Sequence, residues 1–94
     1  MLKDEVLNHF ETMGRVWPST EDALLFIATE LAEATELVLA EKAYKRNHAK
    51  EPFSPGRFAE ELGDIVYMCV IAGQTRGVDP VEAMLAKMFR QVEK

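Results

Sequence analysis

The 94-residue sequence has few residues that could cross-link the chain or anchor it in a membrane. Its one cysteine, Cys69, cannot form a disulfide within the chain and is predicted to be a small core residue in a reducing compartment. No apolar run approaches the ~20 residues of a membrane-spanning helix. The first residues, MLKDE, do not resemble a signal peptide. We therefore expect a cytoplasmic protein that does not bind membranes.

The sequence also lacks an excess of positive charge, since 11 Lys and Arg face 16 Asp and Glu, for a net charge of −5. An acidic chain is not expected to bind nucleic acid or an anionic membrane. A phosphate-bearing substrate stays compatible with this charge, because a bound metal ion would reverse the local field. With 48% apolar and 29% charged residues, the chain is predicted to be a single globular domain over residues 1–94.

Strand-like alternation and internal repeats are absent, and apolar residues recur instead at helical spacing. The pattern predicts an all-α fold with helices near residues 2–13, 20–46, 54–76 and 79–94, and a loop at 47–56. Helix-capping residues support these limits at Ser19 or Thr20, Ser54-Pro55 and Asp79-Pro80, with stops at Gly14 and Gly77. Inside the third helix, Gly63 and Gly73 cost about 1 kcal/mol each relative to alanine, which predicts close packing at both.

The second predicted helix is too long for a compact domain of this size. About 27 helical residues span about 40 Å, whereas a compact 94-residue globule has a diameter of roughly 32 Å. Apolar residues continue along the overhanging part, at Leu37, Val38, Leu39 and Tyr44. We therefore expect a second copy of the chain to cover it, in a homodimer or homotetramer.

Two acidic steps stand out on the predicted helices, Glu30-x-x-Glu33 and Glu61-x-x-Asp64. Residues three apart on a helix are neighbours, so each step presents two carboxylates on one face. Four residues after each acid the chain has an apolar side chain rather than a cation, and the one nearby basic residue is Arg57, four residues before Glu61. Four such carboxylates repel one another and are unfavourable to bury unpaired.

These acids are either ordinary exposed residues on amphipathic helices or ligands of a divalent cation. Two pairs, each within an apolar run, favour the metal, and oxygen ligands suit Mg²⁺ or Mn²⁺. The Glu-x-x-His motif of ferritin-like di-iron sites is absent. Because carboxylate-held Mg²⁺ commonly shares its coordination shell with substrate phosphates, displacement at phosphorus is the expected reaction.

From about Trp17 to Arg90 the sequence resembles the all-α nucleoside triphosphate pyrophosphohydrolases, which include the MazG-like proteins and dimeric dUTPases. The stretches that carry the resemblance are ATELAEATEL, EELGDIVYMCVIAG, GVDPVEAM and KMFRQ. The resemblance implies a four-helix MazG-like bundle completed by oligomerisation. It also implies Mg²⁺-dependent hydrolysis of an NTP or dNTP to the monophosphate and pyrophosphate, and with it a role in nucleotide-pool house-cleaning. The motif match makes Glu30, Glu33, Glu61 and Asp64 the metal ligands and catalytic residues.

The sequence departs from this family at two positions. Thr29 stands where some relatives carry a further carboxylate with a base role, so one of the four acids, or the metal alone, is left to activate water. Gln91 stands where relatives have an asparagine. The phosphoribosyl-ATP enzymes of this superfamily have a lysine before the first acidic step and a Ser-Tyr-Thr stretch. Both are missing here, which disfavours phosphoribosyl-ATP as the substrate.

Accessory residues have two open interpretations each. Lys87 and Arg90 contact substrate phosphate, as the family pattern favours, or form a solvated face at a helix C-terminus. Trp17 stacks on a base or anchors the edge of the core. Arg57 and the other basic residues around the 47–56 loop serve helix dipoles and solvation or close over a triphosphate. Two alternatives for the whole chain are an enzyme acting on another diphosphate metabolite and a catalytically silent helical dimerisation module.

Overall fold

The computed structural model describes residues 2–47 and 53–92. Over these residues the chain forms four α-helices and no strand: α1 (Leu2–Thr12), α2 (Thr20–Asn47), α3 (Pro55–Gln74) and α4 (Pro80–Val92). The all-α prediction is therefore confirmed, and the predicted helix ends agree to within two residues where the structure describes them. Residues 48–52, in the loop predicted at 47–56, lie outside the described residues.

Local polar contacts fix the helix starts. The Ser19 hydroxyl accepts a hydrogen bond from the Asp22 backbone N–H at 3.0 Å and caps α2. Asp79 Oδ1 accepts the Val81 N–H at 3.0 Å and caps α4, while Ser54 caps α3. These side chains satisfy backbone donors that have no partner within the helix. The predicted stops are also present, since the two glycines that end α1 and α3 adopt positive φ, at Gly14 and Gly77.

Helices α2 and α3 form an antiparallel pair that is the main contact of the fold. The face of α2 that is at least half-buried recurs with 4-3 spacing, at Ala23, Ile27, Glu30, Ala34, Leu37 and Glu41. At the end of the pair, the hydroxyls of Thr20 and Thr75 are 2.7 Å apart, and Arg76 Nε donates to Thr20 at 2.8 Å. This closed end fixes the register of the pair, so it also fixes which acids of α2 and α3 face one another.

The hydrophobic core lies at the C-terminal half of α3. Val6 and Phe10 from α1 pack there against Val70 and Ile71, and each of these four side chains is at most 8% exposed. A hydrogen bond of 2.8 Å between His9 Nδ1 and the Tyr67 hydroxyl joins the same two helices. The core is small, so it anchors one end of the bundle and leaves other faces of the helices uncovered.

The two glycines within α3 have different surroundings. A Cβ at Gly73 would lie 2.5 Å from the Val78 carbonyl oxygen and 2.8 Å from Pro80 Cδ, where the chain turns from α3 into α4. The prediction of close packing is confirmed there. At Gly63 a Cβ would meet nothing within 4 Å, so the same prediction is wrong for that position. Of the two glycines within α3, only Gly73 is required by the path of the chain.

Much apolar surface is exposed in the single chain. The Cα radius of gyration is 16.6 Å, compared with about 12 Å for a compact chain of this length. Beyond Val81, every α4 side chain that the structure describes is exposed, including Met84, Met88 and Phe89. None of the described helices combines the length and the apolar character needed to cross a bilayer.

Candidate metal centre

Three of the four predicted acidic residues come together between α2 and α3. Glu30 and Glu33 of α2 and Glu61 of α3 each offer a carboxylate oxygen, and these oxygens lie within 4.8 Å of one another. Glu30 is 8% exposed, Glu61 is half-buried and Glu33 is exposed. The three glutamates, called the acid cluster below, are therefore closed on the Glu30 side and open to solvent on the Glu33 side.

One oxygen of the acid cluster is buried without a hydrogen-bond partner. This atom is Glu61 Oε2, to which the described residues donate no hydrogen bond. Its neighbour Glu30 has a side chain that is almost fully buried. An unsatisfied buried carboxylate oxygen is costly and infrequent in native structures. The arrangement is thus unfavourable unless protons or a cation compensate it.

Hydrogen bonding between the carboxyl groups, together with their mutual repulsion, raises pKa values in the cluster. The pKa of Glu61 is raised above its ordinary value, first because its protonated form hydrogen-bonds to Glu30, then through burial and the negative charge of Glu30. The pKa of Glu33 is raised as well, first by a hydrogen bond with Glu61 and then by the Glu61 charge. Both shifts show that the folded chain holds protons here more tightly than isolated glutamates do.

Asp64, the fourth predicted ligand, is exposed and does not belong to the set of oxygens within 4.8 Å. It is close enough for its charge to raise the pKa of Glu61. A role for Asp64 as a ligand stays a prediction. Thr29 is exposed, and its hydroxyl donates to the Leu25 carbonyl one turn earlier at 3.0 Å. That bond is a local helix contact and leaves the identity of a general base open.

A polar cavity of about 470 Å³ adjoins the acid cluster and shares Glu33 with it. Its other lining residues are Glu36, Leu37 and Ala40 from α2 and Arg57 from the first turn of α3. The Arg57 charge lowers the pKa of Glu33, against the larger effects that raise it. Sequence reasoning named Arg57 but missed Glu36, which one turn of helix places beside Glu33, a spacing that could have indicated it.

The predicted accessory residues lie elsewhere on the chain. Lys87 and Arg90 are exposed on α4, and no described contact joins them to the acid cluster. The Trp17 ring packs on Phe10, with ring centroids 4.6 Å apart, and is 40% exposed. This position corresponds to an anchor at the edge of the core. Roles in substrate binding stay predictions for all three residues.

The acid cluster has the donor set that a hard divalent cation requires. All three groups present carboxylate oxygens, which Mg²⁺ and Mn²⁺ prefer, and no histidine or cysteine belongs to the set. The unpartnered Glu61 oxygen is the observation that favours a cation, because a positive ion would satisfy it and offset the repulsion. The residues present therefore fit a Mg²⁺ or Mn²⁺ site.

Comparisons of the chain with family models, with curated proteins and with solved structures give no match. The resemblance to the nucleoside triphosphate pyrophosphohydrolases therefore depends on the residues quoted above.

Proposed function

We propose that the chain is a Mg²⁺-dependent pyrophosphohydrolase that converts a nucleoside triphosphate to its monophosphate and pyrophosphate. The observation that carries the proposal is the acid cluster, in which Glu30 and Glu61 are held close together with an unpartnered buried oxygen. A fold rarely retains such repulsion without a functional reason. The two acidic steps, on which the family resemblance depends, supply all three members of the cluster.

In this proposal Glu30, Glu33 and Glu61 hold the cation, and Asp64 joins them through its exposed position on α3. A Mg²⁺ ion held there would supply positive charge to phosphoryl oxygens and lower the pKa of an attacking water. Glu33 is the outermost member of the cluster and borders the polar cavity. In this proposal the substrate approaches from the cavity side, with the buried Glu30 behind the site.

Assembly with a second copy of the chain belongs to the same proposal. The single chain exposes 7188 Å², about 1,700 Å² more than a compact monomer of 10.6 kDa is expected to expose. A stable interface buries about 800 Å² on each partner. Leu24 and Leu31 of α2, with Met88 and Phe89 of α4, are among the apolar side chains more than half exposed. These features support a homodimer or homotetramer.

The same exposed apolar surface favours a second candidate, a catalytically silent dimerisation module. In that case the acid cluster would be a tolerated defect and the interface would be the function. The two candidates differ in one respect, because only the enzyme needs the unpartnered Glu61 oxygen.

The test is release of pyrophosphate from a panel of ribo- and deoxyribonucleoside triphosphates, with and without Mg²⁺. The proposal predicts Mg²⁺-dependent release from at least one of them, and light scattering should show a mass above that of one chain. If no nucleotide in the panel releases pyrophosphate with Mg²⁺ or Mn²⁺, the hydrolase proposal fails. A folded oligomer without turnover would then favour the silent module.

A further inference from the structure

Among the described residues, Arg57 is a positive charge with no ion-pair partner. Its side chain is exposed, and the described residues place no carboxylate within ion-pair distance of its guanidinium group. Its backbone N–H is used by the Ser54 cap, at 3.3 Å, but that bond leaves the side chain free. The positive charge of Arg57 acts on Glu33 and lowers the pKa of that carboxyl group, against larger effects that raise it.

The position of Arg57 relative to the acid cluster follows from helix geometry. Arg57 and Glu61 are four residues apart on α3, so both side chains project from the same face. On the facing helix α2, Glu33 belongs both to the acid cluster and to the wall of the cavity that Arg57 lines. The cavity is thus lined by two carboxylates and by Arg57, with Leu37 and Ala40 as its apolar wall.

We infer that Arg57 is a phosphate-binding residue, which holds a phosphate group in this cavity against a divalent cation on the acid cluster. This inference depends on the proposed metal centre and specifies the residue that recognises the substrate beside it. A guanidinium group matches phosphate oxygens with two parallel N–H donors. The cavity volume of about 470 Å³ is within the range of small-ligand sites.

Charge makes phosphate binding here depend on the cation. Glu33 and Glu36 place two carboxylates on the cavity against the single cation of Arg57, so an anion alone is repelled. A divalent cation on the acid cluster reverses that balance. By linkage, phosphate must then strengthen binding of the cation by the same factor. Arg57 therefore contributes to phosphate affinity in the presence of the metal.

The experiment measures binding of inorganic pyrophosphate by calorimetry at saturating Mg²⁺. Arg57→Ala should weaken binding about ten- to hundredfold, the loss expected for a charge-assisted phosphate contact. Arg57→Lys should be intermediate, since lysine keeps the charge but loses the paired donors. Arg15→Ala is the matched control, because it removes the same charge from the connection before α2, about 20 Å from the cavity along that helix. It should bind pyrophosphate as the wild type does.

Three results would overturn the inference. If Arg57→Ala binds Mg²⁺ pyrophosphate as tightly as wild type, or if wild type does not bind it at millimolar concentration, Arg57 serves only to offset the charge of Glu33. Equal binding of pyrophosphate without Mg²⁺ would contradict the joint site. Turnover on the nucleotide panel is scored separately. If the chain hydrolyses nucleotides and Arg57→Ala has no effect, the proposed function stands and this inference fails. If the chain has no turnover but binds Mg²⁺ pyrophosphate through Arg57, this inference stands and the proposed function fails.

Discussion

The two halves of α3 are built differently. The C-terminal half contains Val70 and Ile71, which are at most 1% exposed and pack on α1. The N-terminal half contains Glu61, Gly63 and Asp64; it contacts α2, and most of its side chains are exposed. One half satisfies its side chains by apolar packing, and the other holds a carboxylate oxygen without a partner.

This difference indicates that one half of α3 serves packing and the other half serves the candidate metal centre. Packing at the C-terminal half and the hydroxyl contact between Thr20 and Thr75 fix the register of the α2–α3 pair. That register brings Glu61 against Glu30 and Glu33 at the other half, where the contact is unfavourable for the metal-free chain. Stability and function are therefore expected to respond to mutations in different halves of α3.

The largest expected effect is a loss of turnover after a substitution in the N-terminal half of α3. Glu61→Gln should reduce pyrophosphate release about a thousandfold, since it removes a ligand from the proposed cation site. Helix content by circular dichroism should not change. Glu60→Gln is the matched control, with the same change one residue earlier on an exposed position of α3. Turnover by Glu61→Gln at the wild-type rate would remove the functional distinction between the two halves.

A second variant asks whether α4, which follows the packed half, contributes to the site. Lys87→Ala should lower kcat/KM about ten- to hundredfold if Lys87 contacts substrate phosphate. Because Lys87 is exposed, unfolding free energy should change by no more than about 0.5 kcal/mol. Steady-state kinetics and chemical denaturation measure the two quantities. Wild-type kcat/KM for Lys87→Ala, with Arg15→Ala as the charge control, would make the basic face of α4 a solvated surface.

The two glycines of α3 test the contrast through stability. Gly73→Ala should destabilise the chain by about 1–3 kcal/mol, because its Cβ would overlap the Val78 carbonyl and Pro80. Gly63→Ala meets open space and should stabilise the helix by up to about 1 kcal/mol. Urea denaturation of both variants at one protein concentration measures this. Equal effects of the two substitutions would contradict the contrast in packing.

The smallest expected effect is a pH dependence of the metal-free chain. The pKa values of Glu33 and Glu61 are raised in the folded chain, so the folded chain binds these protons more tightly than the unfolded chain does. The resulting contribution to stability is complete below the ordinary pKa of 4.5 and is lost as pH rises through the raised pKa values. With a chelator present, Glu61→Gln should therefore melt above wild type at neutral pH. The difference should shrink as pH falls toward 4.5.

Melting curves across this pH range, repeated with Mg²⁺, measure the effect. Added Mg²⁺ should raise the wild-type melting temperature and leave Glu61→Gln nearly unchanged. A metal-free wild type that melts above Glu61→Gln at neutral pH would show that the acid cluster is not under electrostatic strain.

Much of the fold could be predicted from the sequence because helix ends depend on neighbours a few residues apart. Ser19 and Asp79 cap their helices through bonds that span three residues or fewer. The candidate site was predictable in part, since the acidic steps named Glu30, Glu33 and Glu61. The separate position of Asp64 was not, because it depends on how α3 is placed against α2.

By itself, the sequence determined four helices, because caps, helix breakers and helical periodicity act locally. It also determined two pairs of acidic residues with no Lys or Arg four residues later. Tertiary structure alone decided that Gly73, and not Gly63, is closely packed, and that Glu61 has an unpartnered oxygen. It also decided that Arg57 lines a cavity with Glu33. The physical reason is that these features depend on the register between helices, which contacts between residues more than 50 positions apart establish, such as Thr20 with Thr75.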